Sequence, residues 1–381
     1  MNYPKTIYLD YAAATPVDPA VLKTMQPYFA DNFYNPSATY LAAKSVAADL
    51  KKARESVAFS LGAKPSEIVF TAGGTEANNF AIAGIMDQYP DGNVIVGSIE
   101  HESVLEPANK YDYREAKVTK GGIVDLDYLE KIIDDKTVLI SVMYANNEIG
   151  TIQPIKEIAK LLQNIRKARA NSGDKLPIFL HTDACQASNY LDLHTSRLGV
   201  DLMTLNGGKM YGPKQSGALY VRTGVVLYPQ ILGGGQERGL RSGTENVAGI
   251  VGFAKALEIS QEKRPVEAKR VTGLRDDFIS QLTKSFPDAT INGSIKKRLP
   301  NNISVTFPGV DNERLMMQLD EKGIMCAVGS ACSASNDDPS HVLKSIGLPD
   351  EKARSTLRFS LGRDTTINQI KETLHSIQKV L

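Results

Sequence analysis

Residues 176–186 read Leu-Pro-Ile-Phe-Leu-His-Thr-Asp-Ala-Cys-Gln, in which the run 177–182 leads straight to the acid at 183. Apolar and polar residues do not alternate along it, so it predicts a strand buried on both faces. Runs of the same kind recur at 67–71, 93–99, 137–144, 200–205 and 217–222. Helical spacing lies between them. Val46, Leu50, Ala53, Val57 and Leu61 fall on one helical face, as do Ile155, Ile158, Leu161, Leu162 and Ile165 within 154–170. Buried strands interleaved with helices predict an α/β fold with a mostly parallel central sheet covered by helices. Beyond about residue 250 the character changes. A long helical stretch over 246–286 precedes strand-like runs at 302–307 and 356–361, with helical segments at 312–322, 339–346 and 366–380. This reads as a smaller α+β C-terminal domain. We expect a large domain over 16–255 and a small one formed by 1–15 together with 256–381.

The chain has 381 residues, 42% of them apolar and 23% charged, which is ordinary globular composition and argues against extended disorder. Lys plus Arg number 44 and Asp plus Glu 43, a net charge of +1. That balance argues against direct nucleic-acid binding and against adhesion to anionic lipid. No apolar run approaches the roughly 18–20 residues that cross a bilayer. The opening MNYPKTIYLDYAAATP lacks a basic segment followed by an apolar one, so no secretory signal is expected. Three cysteines are too few for a disulfide framework. A reducing, cytoplasmic compartment follows, in which a special cysteine is reactive rather than structural.

Three segments carry possible chemistry. In Phe70-Thr-Ala-Gly-Gly-Thr-Glu-Ala-Asn-Asn79 a strand ends, two glycines turn and a helix begins near Thr75. The segment fits a phosphate cradle and equally fits a plain helix cap. It matches neither the P-loop nor the dinucleotide fingerprint. Asp183 stands at the carboxyl edge of a buried strand, where open α/β sheets hold ligands, though an aspartate there is as often an N-cap. Lys209 lies in the glycine-rich stretch 205–214, again after an apolar run; alone it reads as a solvated loop charge. Together the three fit pyridoxal phosphate. That cofactor needs a lysine for a Schiff base, a carboxylate facing its pyridine nitrogen and a phosphate site at a helix N-terminus. Among the cysteines, Cys185 reads as a packing residue and Cys326 as strand interior. Cys332, in GSACSASNDDPS, has almost nothing to bury it and is expected on an exposed loop. By itself His101 reads as a solvated helix-start residue, and Arg358 fits a strand-surface charge as well as it fits a carboxylate clamp.

Ordered motifs run nearly end to end: YLDYAAATPVDP at 8–19, GGTEANN at 73–79, EHESV at 100–104, NNEIG at 146–150, HTDACQ at 181–186, GGKMYGPK at 207–214, ERGLRSGTEN at 237–246, GSACSAS at 329–335 and LRFSLGR at 357–363. In these the chain resembles the cysteine desulfurases of the NifS/IscS type, within the class V aminotransferase family of fold-type I pyridoxal phosphate enzymes. The resemblance implies conversion of L-cysteine to L-alanine. Sulfur would pass to Cys332 as a persulfide, then to a protein acceptor such as an iron–sulfur scaffold or a tRNA thiolation protein, or into cofactor biosynthesis. It implies that Lys209 holds pyridoxal 5′-phosphate as a Schiff base and that Asp183 pairs with the ring nitrogen. Gln186 and Asn147 would bond the phenolic side of the ring, and His101 would stack on its face as an acid–base group. Gly74 and Thr75 would hold the phosphate, assisted by Asn206, and Thr244 would reach the phosphate of the partner in a homodimer. Arg358 would clamp the substrate carboxylate, with Arg363 as its competitor. Cys332 would ride on a mobile loop of about 326–339.

The chain departs from the family pattern at Asn206-Gly207-Gly208, where relatives carry Ser-Gly-His, and at Tyr40 and Gln236, where many carry histidine. Two other readings stay within the fold, a selenocysteine lyase and a class V aminotransferase. A third is of another class, a non-catalytic scaffold for sulfur-accepting proteins.

Overall fold

The computed structural model describes residues 6–329 and 338–381. Its strands are β1 (Ile7–Tyr8), β2 (Ile68–Thr71), β3 (Asn93–Gly97), β4 (Asp112–Ala116), β5 (Thr137–Ser141), β6 (Phe179–Asp183), β7 (Leu202–Asn206), β8 (Gly217–Val221), β9 (Thr290–Ile291), β10 (Asn302–Thr306), β11 (Ile324–Met325) and β12 (Thr356–Ser360). Seven of them form the central sheet in the order β2-β8-β7-β6-β5-β3-β4. Strand β8 runs antiparallel to β2 and β7, and the remaining pairs are parallel. The expected mostly parallel α/β fold is the fold observed.

Continuous apolar runs were the signal, and the packing explains them. Phe70, Ile95, Ile140, Leu180 and Met203 face one core, with the helices Leu41–Leu61 and Ile155–Ser172. Their neighbours Val69, Val94, Val96, Leu139, Phe179 and Leu202 face the other, with the helix Gly74–Met86. Side chains alternate across a strand, so covering both faces demands apolar residues at consecutive positions. At the edge, β4 has the sequence Asp-Tyr-Arg-Glu-Ala and is half-exposed, and no apolar run marks it.

A third core gathers on the three-stranded antiparallel sheet β12-β10-β9, with the helix Ile367–Val380. The chain start belongs to this region: β1 pairs with β11, and Asp10 bridges Ser360. The helix Val247–Ser285 connects the cores. Ile250, Phe253 and Leu257 pack in the first, and Val271, Phe278 and Leu282 in the third.

Strand β2 is antiparallel to β8, which is antiparallel to β7, so β2 shares the direction of the parallel strands. The carboxyl ends of β2, β5, β6 and β7 therefore open on one edge, the position where such sheets place ligands.

Candidate active site

Four chain reversals at that edge build one cavity of about 220 Å³. Strand β6 ends on Asp183, and β7 leads through Asn206 into the short turn Gly207–Lys209. After β2 the chain turns at Gly73 into the helix Gly74–Met86. After β3 it reaches His101, the N-cap of the helix Glu102–Ala108. Lys209, Asp183, Gln186, Asn147 and His101 line the cavity, as do Gly74, Thr75, Asn206 and Arg358.

The Lys209 ammonium is half-buried and donates to the carbonyls of Ala12 at 3.0 Å and Ala13 at 2.6 Å. Gln186 Nε2 donates to the same Ala12 carbonyl. The segment after β1 thus holds both side chains at the cavity wall.

Asp183 is buried and does not cap a helix. Its Oδ1 accepts from the Cys185 amide at 2.8 Å, and its Oδ2 accepts from Asn78 Nδ2 at 2.7 Å. Asn78 also donates to Ser103 Oγ at 2.9 Å, and that hydroxyl lies 2.8 Å from His101 Nδ1. The Ser103 amide donates to the same Nδ1 at 3.0 Å. An atom that accepts an amide proton carries none itself, so the neutral imidazole holds its proton on Nε2. A hydrogen-bonded chain therefore joins the imidazole to the carboxylate. Asn78 and Ser103 were in the quoted motifs, but nothing in their spacing marked them as its links.

Glu100 was also missed by the sequence reading. It is fully buried, accepts from the Met143 amide at 2.6 Å, and its second oxygen has no partner among the described residues. Burial, helped by the Asp183 charge and opposed by the Met143 hydrogen bond, pushes its carboxyl well above the usual range. The folded state thus favours the protonated acid, and its contribution to stability declines as pH rises above the ordinary carboxylate range. Glu100→Gln, which stays neutral, gains stability relative to the parent between pH 5 and pH 8. Glu100→Ala loses the Met143 bond and is destabilised by about 1–3 kcal/mol. Thermal unfolding of the three chains at both pH values checks this.

Arg358 is not the surface charge its residue type suggests. It lies on β12 and is 2% exposed. It donates to Asp10 Oδ1 at 2.6 Å and to the Asn147 carbonyl at 3.3 Å. Asp10 has no sequence signal of its own, because its partner is 348 residues away. Arg363 points elsewhere: it donates to Asp18 and Ser260 and stacks over the Tyr211 ring at 3.9 Å. It does not line the cavity.

Cys185 is buried in the cavity wall, and burial and the Asp183 charge hold its thiol protonated. Cys326 is not strand interior but follows β11 by one residue; burial, with the Asp10 charge adding, pushes its thiol up to about 12. Neither is a nucleophile near neutral pH. Thr244 lines a different cavity, with Thr71 and Arg241. Cys332 lies outside the described residues.

The residues present fit pyridoxal phosphate. An amine, a buried carboxylate, an imidazole and amides surround one cavity, and the helix Gly74–Met86 turns the N–H groups of its first turn toward it. Gly74 keeps the cradle open, since a Cβ there would lie 2.8 Å from Cys185 Sγ and 3.3 Å from Asn206 Nδ2. Fold and site together define the fold-type I class of pyridoxal phosphate-dependent enzymes.

The comparisons with known proteins agree. Residues 7–373 match the class V aminotransferase family, whose members are pyridoxal phosphate enzymes. The chain is 40% identical to cysteine desulfurase IscS of Dictyoglomus turgidum, over 99% of this chain and 95% of that protein. A solved NifS-like protein superposes with a TM-score of 0.90 at 33% identity, over 98% of this chain and 99% of the other. A solved structure of SspA in complex with cysteine gives a TM-score of 0.80 at 36% identity, over 93% and 99%. The chain belongs to the class V aminotransferase family, in its cysteine desulfurase branch of the NifS/IscS type. Among the described residues no helix is long and apolar enough to cross a membrane.

Proposed function

We propose that this chain is a pyridoxal phosphate-dependent cysteine desulfurase that converts L-cysteine to L-alanine and carries the sulfur on Cys332. The observation that carries the reading is the single cavity bringing Lys209, Asp183, His101 and Arg358 together from four distant parts of the chain. Lys209, Asp183, Gln186, Asn147, His101, Gly74, Thr75 and Asn206 would hold the cofactor, and Thr244 would serve the neighbouring copy in a homodimer. Pyridoxal phosphate bound there supplies an electron sink that stabilises negative charge at the Cα of an amino acid.

The chain's own residues do the rest. Arg358 binds the carboxylate of L-cysteine through its planar donor fork. Lys209 takes and returns the proton at the substrate Cα. His101 presents its Nε2 proton to the cavity and serves as a second acid–base group. The Cys332 thiolate attacks the substrate sulfur, forming an S–S bond. The C–S bond breaks with its electron pair going to carbon, which takes a proton and becomes the alanine methyl group. Cys332 is left as a persulfide, and a thiol acceptor removes the outer sulfur. Acceptors of this chemistry serve iron–sulfur assembly, tRNA thiolation and cofactor biosynthesis. Three cysteines, too few for a disulfide framework, support a reducing, cytoplasmic setting for the reaction.

Incubation with L-cysteine and a thiol reductant tests the reading. The parent chain is expected to release alanine and sulfide in equal amounts, and Cys332→Ala to lower sulfide release by about 100-fold or more. Full sulfide release by Cys332→Ala refutes the role of that thiol, and no alanine from the parent refutes the function.

A further inference from the structure

The turn that carries Lys209 has a second lysine beside it. Residues 210–216 fold back over Gly207. The amides of Met210 and Gly212 donate to the Gly207 carbonyl, and the Gly207 amide donates to the Ser216 carbonyl at 2.8 Å. Ser216 Oγ donates to the Pro213 carbonyl at 2.6 Å, and Gln215 takes a left-handed backbone with φ of 56°. Lys214 is thereby held at a defined place. A Cβ built on Gly208 would find Lys214 Cγ at 3.7 Å, so the lysine stem occupies the space beside the glycine. Lys214 then lines a wider opening with Gly73, Gly74, Thr75, Asn206 and Gly208, at the start of the helix Gly74–Met86.

Charge at this opening is unbalanced. Its lining includes two lysines, Lys209 and Lys214, and one carboxylate, Glu76. Glu76 is committed, accepting from Arg241 Nε at 3.0 Å and from the Ala72 amide at 2.9 Å. Among the described residues no hydrogen bond or ion pair engages the Lys214 ammonium. The opening thus sets a lysine, a helix N-terminus and glycine backbone side by side, groups of the kind that receive a dianion.

We propose that Lys214 is a phosphate-binding residue of this chain, supplying beside Gly208 a positive charge to the phosphate ester of the cofactor. The inference rests on the reading of the cavity as a pyridoxal phosphate site. It makes Lys214 a binding residue, with no part in the proton transfers at the substrate. Because Lys214 is exposed, its contribution is electrostatic and screened by salt.

Spectral titration of the full chain, stripped of cofactor, with pyridoxal phosphate and with pyridoxal tests this. Lys214→Gln is expected to weaken pyridoxal phosphate about tenfold at low ionic strength and to leave pyridoxal within about twofold, the loss shrinking as salt is raised. Lys214→Arg retains phosphate affinity. A Cβ on Gly208 meets only ordinary van der Waals contacts, so Gly208→His in the Lys214→Gln background is expected to restore part of the loss. Equal affinities for parent and Lys214→Gln overturn the inference, as does a loss shared equally by both ligands. Failure of the parent itself to bind pyridoxal phosphate overturns the reading of the site instead, and the two failures are thereby told apart.

Discussion

Lys209→Ala is expected to lower alanine formation from L-cysteine by about 10³-fold or more, because it removes both the tether of the cofactor and the base at Cα. The amine is well placed for both tasks. It is half-buried at the carboxyl edge of the sheet and donates to the backbone carbonyls of Ala12 and Ala13. Lys209→Arg keeps a charge and donors to those carbonyls but no free amine, and it is expected to fail equally. Pyridoxal phosphate should still bind Lys209→Ala through the remaining residues, without the visible absorbance of the lysine-bound form. Steady-state alanine assays alongside absorbance spectra check both parts.

Arg358→Gln is expected to lower kcat/KM for L-cysteine by about 100-fold or more, chiefly through KM, because a bidentate charge-assisted contact to the substrate carboxylate is lost. A structural explanation must be separated from this one. Arg358 also pairs with Asp10, and its removal leaves that carboxylate without its partner in a mostly buried position. The double variant Asp10→Asn with Arg358→Gln removes the stranded charge. If the loss were structural, the double variant would recover; if Arg358 binds substrate, it remains impaired. Arg363→Gln supplies the contrast. Arg363 is bound to Asp18 and Ser260, away from the cavity, so its substitution is expected to affect stability before KM. Kinetics of the three variants on L-cysteine decide the matter.

The central sheet was legible because burial on both of its faces writes itself as consecutive apolar residues. The strands at 68–71, 93–97 and 137–141 fall within the expected runs, and those at 179–183 and 202–206 run one residue past theirs. Strand β8 was found, but its direction was not, since an antiparallel strand buried on both faces reads like a parallel one. Strand β4 was missed because an exposed edge has no apolar signature. The two-residue strands β1 and β11 are too short for any periodicity, and their pairing spans more than 300 residues of chain.

The site was legible in part. Lys209 and Asp183 stood out only in combination with the glycine turn at 73–74, since each alone also read as a loop charge or an N-cap, and the resemblance supplied His101, Asn147, Gln186 and Arg358. What remained hidden was the second layer. Asp10 against Arg358, Asn78 and Ser103 between Asp183 and His101, and Glu100 beneath Met143 act through contacts between distant segments. Such pairs have no local spacing to betray them. Arg358 stayed open between two readings for the same reason: a buried arginine differs from a surface one only in what surrounds it.

The central claim is that one amine, that of Lys209, bonds the vitamin-derived ring. Borohydride reduction of the full chain loaded with pyridoxal phosphate, followed by peptide mapping, tests it most directly. A pyridoxyl group fixed on the peptide containing Lys209, at that residue, is the expected result. A chain that takes up no label, or takes it up on another lysine, contradicts the account.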